Sequence, residues 1–161
     1  MTVKEYNNTV ELYSDNVFRF ILKNIRDEEK AKDIVQDAFA KMWLKADEID
    51  GEKSKSYLFT TAYRTMIDLI RREKKQGDWE EVKEQSYAHN DSYSGLGEIL
   101  QNALQKLSEI QRSVILLRDY EGYDYSEIGE ITGLSLSQVK VYIFRARKSL
   151  KDYLVSVDTV I

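Results

Sequence analysis

Apolar residues recur along this chain at the spacing of a helix face, i, i+3, i+4, i+7, and not at the alternation of a strand. Ala31, Ile34, Val35, Ala38, Phe39 and Met42 form one such stripe, and Asp27 stands ahead of it where an N-cap acceptor belongs. An earlier helix is predicted through Val10, Tyr13, Val17, Phe20 and Ile21. A later one runs through Leu58, Ala62, Thr65 and Leu69 and ends in the basic run RREKK. The intervening ADEIDGEKSKS has the glycine and serines of a loop.

The helical pattern lapses from Gln76 to Gly97, where Asp78, Glu80, Glu81, Glu84 and Asp91 face a single Lys83. Such a polar, acidic and aliphatic-poor stretch has the composition of a linker. Trp79 within it either docks against a neighbouring domain or starts a short helix. A second helical block follows, with one helix predicted to about Leu107 and another from about Glu109 to Tyr120, closed by Gly122. The chain is therefore expected to be all-α, with two small helical domains, 1–75 and 98–161, joined by a flexible acidic linker over 76–97.

Two capping boxes stand close together in the second block, Asp124 with Glu127 and Ser135 with Gln138, separated by the turn TGLS. A short helix, a glycine turn and a second helix make a helix-turn-helix. At about 100° per residue, Val139, Ile143, Ala146 and Leu150 line one face of the second helix, its core side. Ser137, Val141, Phe144, Arg145 and Lys148 lie opposite, and Lys140, Arg147 and Lys151 gather along one flank. A solvated helix has no use for an exposed valine and phenylalanine. A helix in the major groove does, since such groups meet thymine methyls beside an arginine able to donate to guanine, while flanking cations neutralise phosphates.

Charge and composition narrow the picture further. The 161 residues carry a formal net charge of −4, yet five cations and no acid fall between Lys140 and Lys151. Positive charge is thus concentrated where a polyanion would dock. Cysteine is absent and His89 is the single histidine, in a polar stretch read as a loop, so disulfides, thiolate zinc sites and histidine triads have no residues to build them. No glycine-rich phosphate loop is present, and the carboxylates are spread over helical faces. Neither an enzyme, nor a metal site, nor a cofactor is expected. No apolar run approaches the roughly 18 residues of a membrane span, and MTVKEYNNTV lacks the regions of a signal peptide, which predicts a cytoplasmic protein without membrane insertion.

Three segments, DIVQDAFAKMW (33–43), YLFTTAYRTMIDLIRREKK (57–75) and YSEIGEITGLSLSQVKVYIFRARKSL (125–150), resemble in order and spacing the bacterial extracytoplasmic-function sigma factors. These are small two-domain subunits that give RNA polymerase its promoter specificity. The resemblance implies that the first domain grips core RNA polymerase and opens the minus-10 promoter element, and that the second reads the minus-35 element. It implies that Asp33, Gln36 and Asp37 bind polymerase; on the residues alone, they are either acceptors for a basic partner or a solvated acidic face.

The loop from Ala46 to Ser56 matches the family's minus-10 specificity loop, which captures a flipped base. Tyr57, Arg64, Arg71 and Arg72 would supply stacking and phosphate contacts to the open strand, with Tyr57 alternatively a core aromatic. Arg64 stands where many members carry a small polar residue. Ser137, Gln138, Lys140, Val141, Phe144 and Arg145 are implied at or near minus-35 base edges, with Arg147 and Lys148 on the DNA backbone. The chain ends soon after this helix, so regulation is expected from outside, through an anti-sigma factor. Where the family often has a proline, KLSEIQR has none, and a local change at that helix start is expected. Two other functions fit a helix-turn-helix: a conventional regulator that binds an operator without polymerase, and a module whose basic helix binds an acidic protein. Neither needs the block YLFTTAYRTMIDLIRREKK behind an IVQDAF helix.

Overall fold

The computed structural model describes residues 1–77 and 95–160, all of them helix, 3₁₀ or π turn, or connecting loop, with no strand among them. The chain folds as two units divided between Ser86 and Tyr87. Most of the expected linker, with Trp79 and His89, lies outside the described residues. The helices on either side reach slightly into it, one ending at Gln76 and the next beginning at Gly95.

Three helices make the first unit: α1 (Val3–Ile25), α2 (Glu28–Leu44) and α3 (Ser54–Gln76). A capping box between Thr2 and Glu5 opens α1. The chain then breaks at Arg26, whose backbone is left-handed (φ 55°), and Asp27 caps α2 by accepting the Lys30 N–H at 3.1 Å. Two 3₁₀ turns, Ala46–Glu48 and Gly51–Lys53, carry the chain from α2 to α3. Each helix packs on the other two. Their shared core holds Val17, Phe20 and Ile21 of α1, Ile34, Ala38 and Met42 of α2, and Leu58, Phe59, Ala62 and Met66 of α3, all buried. The Phe20 and Phe59 rings meet at 5.6 Å between centroids. Burying a phenylalanine, leucine or methionine contributes about 1.5–3 kcal/mol each, so this apolar seam fixes the bundle. Hydrogen-bonded hydroxyls of Thr9 and Ser54, 2.8 Å apart and buried, pin the start of α3 to α1.

The second unit holds α4 (Gly95–Lys106), α5 (Glu109–Ile115), α6 (Tyr125–Thr132) and α7 (Leu136–Val160). Ser108 opens α5 through a capping box with Gln111. The buried Arg112 guanidinium donates to the carbonyls of Leu104 and Leu107 at 3.2 and 3.1 Å, so a buried cation caps the end of α4. Leu104, Val114, Leu117, Ile128, Val139, Ile143 and Ala146 form the core between the helices.

One expected element differs. The helix predicted from Glu109 to Tyr120 is α-helical only to Ile115 and then widens into a π-helical turn, Leu116–Tyr120. The Glu121 N–H bonds to Leu116 and the Tyr123 N–H to Leu117, five and six residues back. The wide turn, followed by Gly122 at φ 76°, brings Tyr123 inward to burial. Arg118 holds that exit in place by donating to the Tyr123 carbonyl at 2.9 Å.

Candidate functional site

The helix-turn-helix is built by its caps. Asp124 accepts the Glu127 N–H at 2.8 Å, and Glu127 accepts the Asp124 N–H at 3.0 Å, which starts α6. Gly133, at φ 79°, ends it in the left-handed conformation that glycine adopts without a Cβ penalty. Two residues later Ser135 and Gln138 repeat the reciprocal cap, at 3.2 and 2.9 Å, and start α7. The turn is tight, because Gly129 lies so close to the Leu134 carbonyl oxygen that a Cβ would sit 2.9 Å from it.

On α7 the expected core face is inward: Val139, Ile143 and Ala146 are essentially fully buried, and Leu150 is half-buried. Ser137, Gln138, Lys140, Val141, Phe144, Arg145, Arg147 and Lys148 are all exposed. Phe144 is 70% exposed and Val141 43%, beside two cations. A shallow, mainly apolar groove of about 570 Å³ runs along this flank, lined by Tyr125, Ile143, Phe144 and the stems of Lys140, Lys148 and Lys151. Two expected contacts are qualified by local partners. The Gln138 side-chain oxygen is engaged in the cap, which leaves its amide as the donor. Arg147 is engaged with Asp119, Nη2 to Oδ1 at 2.6 Å and Nε to Oδ2 at 3.3 Å, and this hydrogen-bonded carboxylate raises the arginine pKa further.

In the first unit, Asp33, Gln36 and Asp37 are exposed on α2. On α3, Tyr57, Arg64 and Arg71 recur every seventh residue and so share one side of the helix, spanning about 21 Å of its length. Arg72 is exposed next to them, as are Arg64 and Arg71, while Tyr57 is half-buried, between the two alternatives the sequence left open. The acids and cations are not segregated. Asp37, Lys41, Asp68, Arg71 and Arg72 line one groove, and Asp33, Asp37 and Arg72 share a second with the Lys30–Glu73 ion pair.

Sequence reasoning missed Asp119, which no local pattern links to α7. It also passed over Trp43 and Leu44, 49% and 84% exposed at the end of α2. Tyr6 braces that end, with its ring edge-on to Trp43 at 5.0 Å and its hydroxyl donating to the Phe39 carbonyl; burial raises the Tyr6 pKa. Among the described residues no cluster of acids or histidines is placed to hold a metal, and no helix is long and apolar enough to cross a membrane.

Comparison with known proteins returns the same two-part division. Residues 9–76 match the family model for sigma-70 region 2, and residues 97–150 match that for sigma-70 region 4. The RNA polymerase sigma factor YlaC of Bacillus subtilis is 32% identical over 148 residues, covering 86% of each chain. The ECF RNA polymerase sigma factor SigM of the same organism is 28% identical over 159 residues, covering 94% of each. Among solved structures, the sigma factor RpoE of Bartonella quintana, crystallised with the anti-sigma factor NepR, aligns with a TM-score of 0.81 at 29% identity over 94% of this chain and 98% of that one. Regions 2 and 4 thus follow one another on a single chain that aligns over most of its length with these sigma factors, and the protein belongs to the extracytoplasmic-function sigma factors.

Proposed function

We infer that the protein binds core RNA polymerase and directs it to a set of promoters by contacting two upstream elements. The observation that carries this is the outer face of α7: Val141, Phe144 and Arg145 stand in solvent directly opposite the buried Val139, Ile143 and Ala146. The apolar surface of Val141 and Phe144 is costly to leave in water. In a major groove about 12 Å wide this face finds thymine methyls, guanine acceptors and, at the walls, phosphates for Lys140 and Lys148. We assign residues 98–161 to the minus-35 element, with Ser137 and the Gln138 amide reaching base edges from the first turn of α7.

Residues 1–75 are assigned to polymerase and the minus-10 element, with 76–97 as the connection. Asp33, Gln36 and Asp37 present acceptors to basic groups on the polymerase. The row of Tyr57, Arg64 and Arg71, with Arg72 beside it, offers an aromatic face and guanidinium groups to a single strand laid along α3. The expected loop from Ala46 to Ser56, which is two 3₁₀ turns up to Lys53 and the first turn of α3 from Ser54, would hold a base taken out of the stack. An anti-sigma factor is assigned as a further partner, supported by the complex in which the related RpoE is found.

The test is transcription in vitro by core polymerase with and without the protein, over a pool of random upstream sequences. Start sites that depend on the protein and share a two-part upstream motif are expected. Duplex binding that is independent of core polymerase, with no change in start sites, would instead identify an operator-binding regulator.

A further inference from the structure

The basic flank of α7 contains one discordant feature, the carboxylate of Asp119. It lies 28 residues earlier in the chain and reaches Arg147 from the π-helical turn. An acid beside a polyanion-binding face lowers the local positive potential and by itself weakens binding. Nor does stability explain it. The two side chains are 48% and 38% exposed, and an ion pair that open contributes little to folding.

The geometry points elsewhere. Asp119 engages Nε and Nη2, the two donors on one edge of the guanidinium plane. A guanidinium has five N–H groups in a rigid fork, so beyond the Asp119 contact three N–H groups remain on Nη1 and Nη2, to be shared between the Tyr125 side chain, which hydrogen-bonds this guanidinium, and a second anion. Tyr125 stands against the same guanidinium, and Arg118 is stacked over the Tyr125 ring at 4.8 Å. Neighbouring residues of the π turn are therefore both used: Arg118 steadies the start of α6, and Asp119 steadies Arg147 on α7. A regular α-helix continued through Tyr120 would rotate Asp119 away from this position, since each residue turns by about 100°. Wide turns of this kind occur often at functional sites.

We propose that Asp119 is a positioning residue for DNA binding, holding Arg147 side-on so that its outer edge clamps a phosphate of the promoter backbone. This rests on the assignment of α7 as the DNA-reading helix and adds a residue outside that helix to the interface. Arg147 is then an oriented bidentate clamp, while Lys148 is a mobile point charge. The clamp acts on every sequence alike, because a phosphate carries no base identity.

The experiment uses holoenzyme reconstituted from core polymerase and the full chain, carrying wild type, Asp119→Ala, Arg147→Ala or both substitutions. Binding to promoter fragments recovered from the random pool is measured over a range of KCl concentrations. Arg147→Ala is expected to weaken binding about fivefold to tenfold and to lower the salt slope by about one. Asp119→Ala is expected to weaken it about threefold, and to have no further effect when Arg147 is already alanine. Asp119→Asn, which keeps the shape and loses the charge, should resemble Asp119→Ala. Tighter binding by Asp119→Ala would make the acid a competitor of DNA and overturn the proposal. An equal loss in both backgrounds would do the same, since Asp119 would then act through the fold. If Arg147→Ala alone changes neither affinity nor salt slope, the contact of Arg147 with DNA fails as well. If Arg147→Ala weakens binding and Asp119→Ala does not, only the positioning role falls.

Discussion

Replacing Gly129 by alanine places one methyl group in the narrowest part of the helix-turn-helix. The new Cβ would lie 2.9 Å from the Leu134 carbonyl oxygen and 3.9 Å from Cγ2 of Val139. The first contact cannot be relieved by a side-chain rotation, because the oxygen belongs to the backbone between Gly133 and the Ser135 cap. Either α6 or the start of α7 has to move. Overpacking of this kind costs about 1–3 kcal/mol, whereas alanine gains about 1 kcal/mol over glycine in a helix interior. The balance is a destabilisation of about 1 kcal/mol, equivalent to a fall in Tm of about 4–8 °C for a unit of this size. Thermal melting of the full chain by circular dichroism measures it. Displacement of the Ser135 cap should also reduce discrimination among promoters by the reconstituted holoenzyme. Gly133→Ala is the control, since nothing lies within 4 Å of its added Cβ and its cost, about 1–2 kcal/mol, comes from the left-handed backbone alone. A Tm for Gly129→Ala equal to or above that of wild type would refute the reasoning, because helix propensity would then outweigh a contact that must be looser than 2.9 Å.

Three further outcomes are expected. Asp33→Ala combined with Gln36→Ala should weaken capture by core polymerase in a pull-down while leaving helicity unchanged, both side chains being exposed on α2; undiminished capture would remove these residues from the interface. Arg145→Ala should cost about 1–3 kcal/mol and relax preference at one minus-35 position, whereas Lys148→Ala should weaken all sequences alike and lower the salt slope by about one. A uniform loss from both would make α7 an electrostatic anchor. Phe59→Ala, at a fully buried position against Phe20, should destabilise the first unit by about 3–5 kcal/mol in denaturant unfolding; a loss below about 1 kcal/mol would mean that the bundle closes over the cavity.

The helices were legible in the sequence because their information is local. A 3.6-residue period marks the side that leaves water, and Asp27, Asp124 and Ser135 mark starts because an N-cap bond spans only two or three residues. The same periodicity placed Val139, Ile143 and Ala146 inward and left Phe144 and Arg145 outward, as the structure has them. Ser108 with Gln111 was equally readable as a capping box. Periodicity says that a face is buried but not what it meets. That Phe20 meets Phe59, that Arg112 closes α4, and that Arg72 shares grooves with Asp33 and Asp37 depends on how helices far apart in sequence cross. The π-helical turn is the sharpest case. Nothing between Leu116 and Tyr120 disfavours an α-helix, and the turn widens where Tyr123 is drawn into a core assembled from α5, α6 and α7. Packing thus set the direction of Asp119 and joined it to Arg147 across 28 residues, a pairing with no local signature for a sequence to carry.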